Sequence, residues 1–151
     1  EALSTLRIEM GHIAGSELDG RTIPYDNSLE GLVSKKKDFI GKRSLDRKAF
    51  IAEDRQKVVG VVPIDKKTSI PEGSHLVKDA LAPIPNPKLG YISASCWSVE
   101  YDNPFSLAIL KDGKNMIGQK LFAMSPLKNK TIPVEIVSSH YVDPKGERVR
   151  S

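Results

Sequence analysis

The stretch Phe105-Ser106-Leu107-Ala108-Ile109-Leu110-Lys111-Asp112-Gly113-Lys114-Asn115-Met116 decides how the chain is read. A short β-rich run is followed at once by Asp112-Gly113, and because Gly accepts positive φ at no steric cost, the pair predicts a hairpin turn between paired antiparallel strands. Working outward, similar runs occupy residues 57–64, 89–98, 119–124 and 131–141, separated by Gly, Pro and Asp. Short runs at such close intervals point to an antiparallel barrel or sandwich. Pro83, Pro85 and Pro87 make the approach to Leu89 a stiff extended loop, since proline cannot donate to a ladder.

Upstream of Gln56 the pattern differs. Leu3, Leu6 and Met10 fall at i, i+3 and i+7, which predicts the last turns of a helix ended by Gly11. Turn chemistry at Asp19-Gly20 and around Pro24 predicts a surface loop. Ser44 is placed to cap a short helix reaching Phe50. The boundary falls near Asp54, with a helical, loop-rich piece before it and an all-β module of about a hundred residues after it, a normal domain size.

The chain has 151 residues, 39% hydrophobic and 28% charged, with a formal charge of +4. This is the composition of one ordinary globular domain, able to bury roughly 70% of its unfolded surface without staples. Cys96 is the single cysteine, so an internal disulfide is excluded, and its apolar strand makes it a small core residue. No apolar run approaches the ~20 residues that span a bilayer, nor does the N-terminus look like a signal segment, so a soluble, reducing, cytoplasmic setting is expected. The chain begins at Glu1 rather than Met and reads as a fragment of something longer.

The charge excess is local. Residues 35–48 carry seven Lys and Arg against Asp38 and Asp46, while elsewhere the charges nearly cancel and few aromatics are available to stack on bases. Nucleic-acid binding is therefore not expected. Such a segment is a solvated face, or it meets an acidic partner chain or the polyglutamate tail of a ligand.

His12, His75 and His140 are too dispersed for a metal motif, and no metal is expected. The sequence contains no GxSxG, GxGxxG or GxxxxGK[ST], so neither a nucleophile elbow nor a phosphate-cradling loop lies within it. Two features remain open. Arg7 and Glu9 are interleaved with apolar residues beside a helix end, either as solvent-facing charges or with Arg7 presenting its planar fork of donors to a carboxylate or polar heterocycle. Tyr141, behind Ser138-Ser139-His140, is either a core ring or the wall of a ligand site.

Three groups of residues resemble the aminomethyltransferase family, the tetrahydrofolate-binding T proteins of the glycine cleavage system and their relatives. They are Thr5-Leu6-Arg7-Ile8-Glu9-Met10-Gly11 with Thr22-Ile23-Pro24, then Asp38-Phe39-Ile40-Gly41-Lys42, and finally Gly90-Tyr91-Ile92-Ser93-Ala94-Ser95 with the core strand from Phe105 to Leu110. Within the family, HIAGSELDGRTIP, VSKKKDFIGKRSL and PVEIVSSHYVDPKGERVR are most similar to the α-subunit branch of the heterotetrameric sarcosine oxidases, in its C-terminal region.

The resemblance implies a mainly β fold with a small α+β N-terminal piece and a C-terminal antiparallel β-barrel. Residues 1–53 would be the end of the folate-binding domain and residues 54–151 the barrel. It implies an oxidoreductase of one-carbon metabolism that demethylates sarcosine to glycine, with the one-carbon unit passed to tetrahydrofolate or released as formaldehyde and hydrogen peroxide as the other product. FAD, FMN and NAD, and the β, γ and δ subunits, would lie elsewhere in the intact complex. The family's folate contacts map onto Arg7 and Tyr141, and Glu9 would orient Arg7. The family's catalytic carboxylates would lie before Glu1, so no catalytic residue is expected here and the fragment alone should be inactive. The alternatives are a free T protein and a non-catalytic module that docks neighbouring subunits.

Overall fold

The computed structural model describes residues 1–83 and 85–150. Its centre is a closed barrel of six strands: β1 (Lys57–Pro63), β2 (His75–Val77), β3 (Lys88–Ser98), β4 (Asn103–Leu110), β5 (Lys120–Ser125) and β6 (Lys130–Val137). They run in the order β1-β4-β3-β2-β5-β6, and every neighbouring pair is antiparallel. The runs between Gly and Pro left a barrel or a sandwich open, and the fold is the mainly β, antiparallel barrel that the family resemblance implied.

Side chains alternate along each strand, which splits the apolar residues between two compartments. Val59, Val61, Leu76, Ile92, Ala108, Leu110, Leu121 and Val134 form one buried cluster inside the barrel. Val58, Val62, Leu107 and Ile109 point the other way and pack with Ile8 of a helix, α1 (Ala2–Glu9). Every residue of β4 is buried, because one face fills the barrel and the other lies beneath α1. That is why its sequence is apolar without alternation.

A bulge in β3 sets which residues face the helix. Ile92 pairs with Ala108 and Ala94 with Leu107, leaving Ser93 as the extra residue. The added residue reverses the alternation. Ile92 therefore points inward, while Ala94 and Cys96 turn toward α1.

Four expectations are corrected. Asp112-Gly113 does not close a hairpin, because β4 pairs with β1 and β3 whereas β5 pairs with β2 and β6. Asp112 does take positive φ (54°), but it starts a 3-10 turn, Gly113–Met116, that carries the chain to the far side of the barrel. Ser44 caps nothing: it lies inside α2 (Lys42–Leu45), which Asp46 and Arg47 separate from α3 (Lys48–Ile51). The helix at the N-terminus forms and Gly11 ends it with φ 68°, but Leu3 and Leu6 are exposed and the buried residues are Ile8 and Glu9. The following loop makes the expected turns, with Thr22 N–H donating to Asp19 and Asp26 N–H to Ile23, yet it buries Glu17, Asp26 and Asn27. Strand β2 was not foreseen. Of the proline-rich stretch, Ile84 lies outside the described residues.

The buried carboxylate of Asp26 ties the loop to the barrel. Arg55 donates to it through Nε (2.6 Å) and Nη2 (2.8 Å), and Val58 N–H donates to its backbone carbonyl. No helix among the described residues is long and apolar enough to cross a membrane. A last short helix, α4 (Glu147–Arg150), follows the barrel.

Candidate functional site

The end of α1 is held against the segment that follows β6. A Cβ on Gly11 would lie 2.6 Å from the carbonyl oxygen of Ser139, so the turn needs glycine both for its positive φ and for this approach. The backbone N–H groups of Tyr141 and Val142 donate to the carbonyl of Glu9 at 3.2 and 3.1 Å. Tyr141, distant in sequence from Arg7 and Glu9, is thereby brought to the end of α1 that carries them.

Arg7 is anchored at one nitrogen. Its Nη1 donates to Glu17 Oε2 and to the His12 carbonyl, both at 3.4 Å. Glu17 has no solvent exposure, and its carboxylate also accepts from Ala14 N–H (2.9 Å) and Ser16 Oγ (3.3 Å). Asn27 and Thr22 donate to its backbone carbonyl. Buried charges need such compensation. A quarter of the Arg7 side chain remains exposed. Among the described residues its Nε and Nη2 have no hydrogen-bond partner, which leaves one edge of the fork for another acceptor.

Among the described residues no hydrogen bond joins Glu9 to Arg7, which is held by Glu17. Glu9 is 6% exposed, and its Oε1 has no hydrogen-bond partner among the described residues. An unmatched buried acceptor costs about 1–3 kcal/mol, so the atom is primed for a donor from outside this set. Burial together with the charge of Glu9 pushes the Cys96 thiol up to about 11, with Arg7 pulling the other way.

Tyr141 is both core ring and polar handle. It stacks on Phe105 (centroids 4.3 Å apart, planes 6° apart) and meets Tyr101 at a tilt, 4.6 Å away. Its hydroxyl accepts from Nδ2 of the buried Asn103 at 3.1 Å. Sequence reading missed Glu17 and Asn103. Glu17 lies in a loop without periodicity, and its one local signal is the Ala14 N–H three residues earlier. Asn103 pairs across 38 positions and had no local signal.

Ser16, next to Glu17, donates to the carbonyl of the bulged Ser93, so the loop beneath Arg7 is pinned to the barrel. A separate concavity of about 560 Å³ lies away from these residues, between Arg21, Arg55, Lys88 and Lys111. Arg21 and Arg55 are already paired there, with Asp19 and Asp26. Among the described residues no cluster of His, Cys, Asp and Glu could hold a metal ion.

No family model matches the chain. It is 37% identical over 151 residues, 99% of its length, to sarcosine oxidase subunit alpha of Rhizobium meliloti. It is 36% identical to the subunit of the same name from Corynebacterium sp. strain U-96, over 98% of its length. The chain spans about 15% of the length of each of these relatives. Among solved structures, the glycine cleavage system aminomethyltransferase T of Bartonella henselae superposes with a TM-score of 0.72 at 22% identity, covering 94% of this chain and 38% of that one. At that identity the likeness is one of fold.

Proposed function

We propose that this chain is a segment of a sarcosine oxidase α-type subunit and forms one wall of a tetrahydrofolate site, with Arg7, Glu9 and Tyr141 as its contacts. The observation that carries the reading is a pair of groups at one helix end without a hydrogen-bond partner among the described residues: the Nε and Nη2 edge of Arg7 and the buried Oε1 of Glu9. A folate presents both complements, carboxylate and carbonyl acceptors for Arg7 and ring N–H or amino donors for Glu9. Tyr141, rigid between Phe105 and Tyr101, supplies an aromatic wall.

The part played here is binding. Arg7 contributes charge-assisted hydrogen bonds, and the buried Glu17 fixes the direction of its fork so that little side-chain entropy is lost when ligand arrives. Bound tetrahydrofolate would accept the one-carbon unit released when sarcosine is oxidised. FAD, FMN and NAD, and the β, γ and δ subunits, belong to other parts of the assembly. The likeness over nearly the whole chain to two α subunits favours this over a free T protein.

The test is folate affinity of the full-length subunit by calorimetry. Arg7→Ala should weaken tetrahydrofolate by about 2 kcal/mol, the worth of a charged hydrogen bond. Unchanged affinity in both Arg7→Ala and Glu9→Gln would remove this end of α1 from the site. A full-length native protein without bound flavin would favour the free T protein instead.

A further inference from the structure

The basic segment flanks an apolar groove that no part of the described chain fills. Pro24, Leu29, Leu32, Val33, Phe39 and Leu45 line a concavity of about 420 Å³, with Lys37 and Asp38 at its edge. Leu32 is 79% exposed and Ile40, on the adjoining turn, is fully exposed. Beside them Lys35, Lys36, Lys37, Arg43, Arg47 and Lys48 are exposed, and none forms an ion pair among the described residues.

The segment is shaped rather than loose. Lys42 Nζ donates to the carbonyls of Lys37 (2.9 Å) and Lys35 (3.4 Å), and Ser34 Oγ accepts from Lys37 N–H (2.9 Å). Lys42 thus spends its charge inside the loop and directs its neighbours outward. Apolar surface rimmed by charge that is mainly positive, with Asp38 and Asp46 as the acidic exceptions, is a signature of a protein interface.

We infer that this face docks an acidic segment of another polypeptide, which inserts an apolar anchor into the groove while its Asp and Glu meet Lys35, Lys36 and Lys37. The choice of occupant rests on charge complementarity. A nucleic acid or a polyglutamate tail would answer the charge but leave the groove and Ile40 uncovered, whereas an acidic peptide with a hydrophobic side chain answers both. The inference rests on the reading of the chain as part of a multi-subunit oxidase.

The experiment uses the full-length subunit, tagged and purified in its native complex. Zero-length carbodiimide coupling, which joins lysine to a carboxylate in contact with it, is followed by mapping of the linked peptides. Links from Lys35, Lys36 or Lys37 to Asp or Glu of a different polypeptide are expected. The combined Lys35→Glu, Lys36→Glu, Lys37→Glu variant should retain that polypeptide at least about tenfold less, because like charges across an interface cost several kcal/mol. The Leu32→Ser, Ile40→Ser variant should lower retention without changing its dependence on salt. Links confined to the subunit's own chain, no links from these lysines, or undiminished retention by the triple variant would each overturn the docking site. If no other polypeptide co-purifies, both the docking site and the multi-subunit reading fall, while folate affinity tests the α1 site independently.

Discussion

The guanidinium of Arg7 lies 3.4 Å from a carboxylate oxygen of Glu17, a side chain with no exposure to solvent. The pair joins the end of α1 to a loop that follows it by ten residues. Glu17 is also bonded by Ala14 N–H, so the loop conformation and the orientation of Arg7 depend on one buried charge.

Replacing Glu17 by Gln keeps an acceptor for Ala14 N–H but removes the charge that fixes Arg7. Stability should fall by about 1–3 kcal/mol in urea titrations, the scale of a charged hydrogen bond in a buried setting. A double-mutant cycle with Arg7→Ala should show coupling of at least about 0.5 kcal/mol. Strict additivity would mean that the two side chains do not support each other in solution.

At Tyr141 the ring and the hydroxyl can be separated. Tyr141→Phe keeps the stack on Phe105 but leaves the buried Asn103 amide without its hydroxyl partner, and should cost about 1 kcal/mol. Tyr141→Ala also removes the stacked ring and should cost about 3–5 kcal/mol. Thermal unfolding of the two variants distinguishes them, and equal losses would show that the ring contributes little.

Gly90 is required by closeness rather than by backbone conformation. A Cβ there would stand 2.1 Å from the carbonyl oxygen of Ile109 and 2.9 Å from Cα of Leu110, both main-chain atoms of the paired strand β4. Gly90→Ala must push β3 and β4 apart and should cost about 3 kcal/mol, at the upper end for overpacking. Gly73→Ala, where nothing lies within 4 Å but φ is +76°, should cost less, through backbone strain alone. Denaturant midpoints of the pair would reverse this order if the strands can yield.

Cys96 should react sluggishly. With its thiol pushed up to about 11, only about one molecule in ten thousand is thiolate at pH 7. Alkylation by iodoacetamide should therefore be at least a hundredfold slower, to order of magnitude, in the folded chain than in urea, and should climb with pH until about 11. Because the charge of Glu9 contributes to this shift, Glu9→Gln should lower the thiol and quicken labelling at fixed pH. A rate that levels off by pH 9 would contradict the burial seen at Cys96.

The β character of the barrel was legible because it depends on local rules. Hydrophobic runs bounded by Gly and Pro form strands wherever the chain places them, and five of the six strands fall on such runs. Strand β2 did not stand out, because with three residues it has no period to read, and its pairing with β3 and β5 is what makes it a strand. The turn at Asp112-Gly113 was legible as backbone conformation but not as topology. Positive φ at Asp112 is local, whereas the choice of partner for β5 depends on closing the barrel through β2 and β6.

By itself, the sequence determined where five of the six strands run and that Gly11 ends a helix, because propensity and turn chemistry are written in neighbouring residues, and a family pattern singled out Arg7, Glu9 and Tyr141 as candidates. Tertiary structure decided which partners those residues have. Glu17 rather than Glu9 holds Arg7, Asn103 anchors Tyr141, and the bulge at Ser93 turns Cys96 toward α1. Each of these depends on burial and on contacts between distant segments, and a buried charge or hydroxyl finds its partner only once the chain has closed around it.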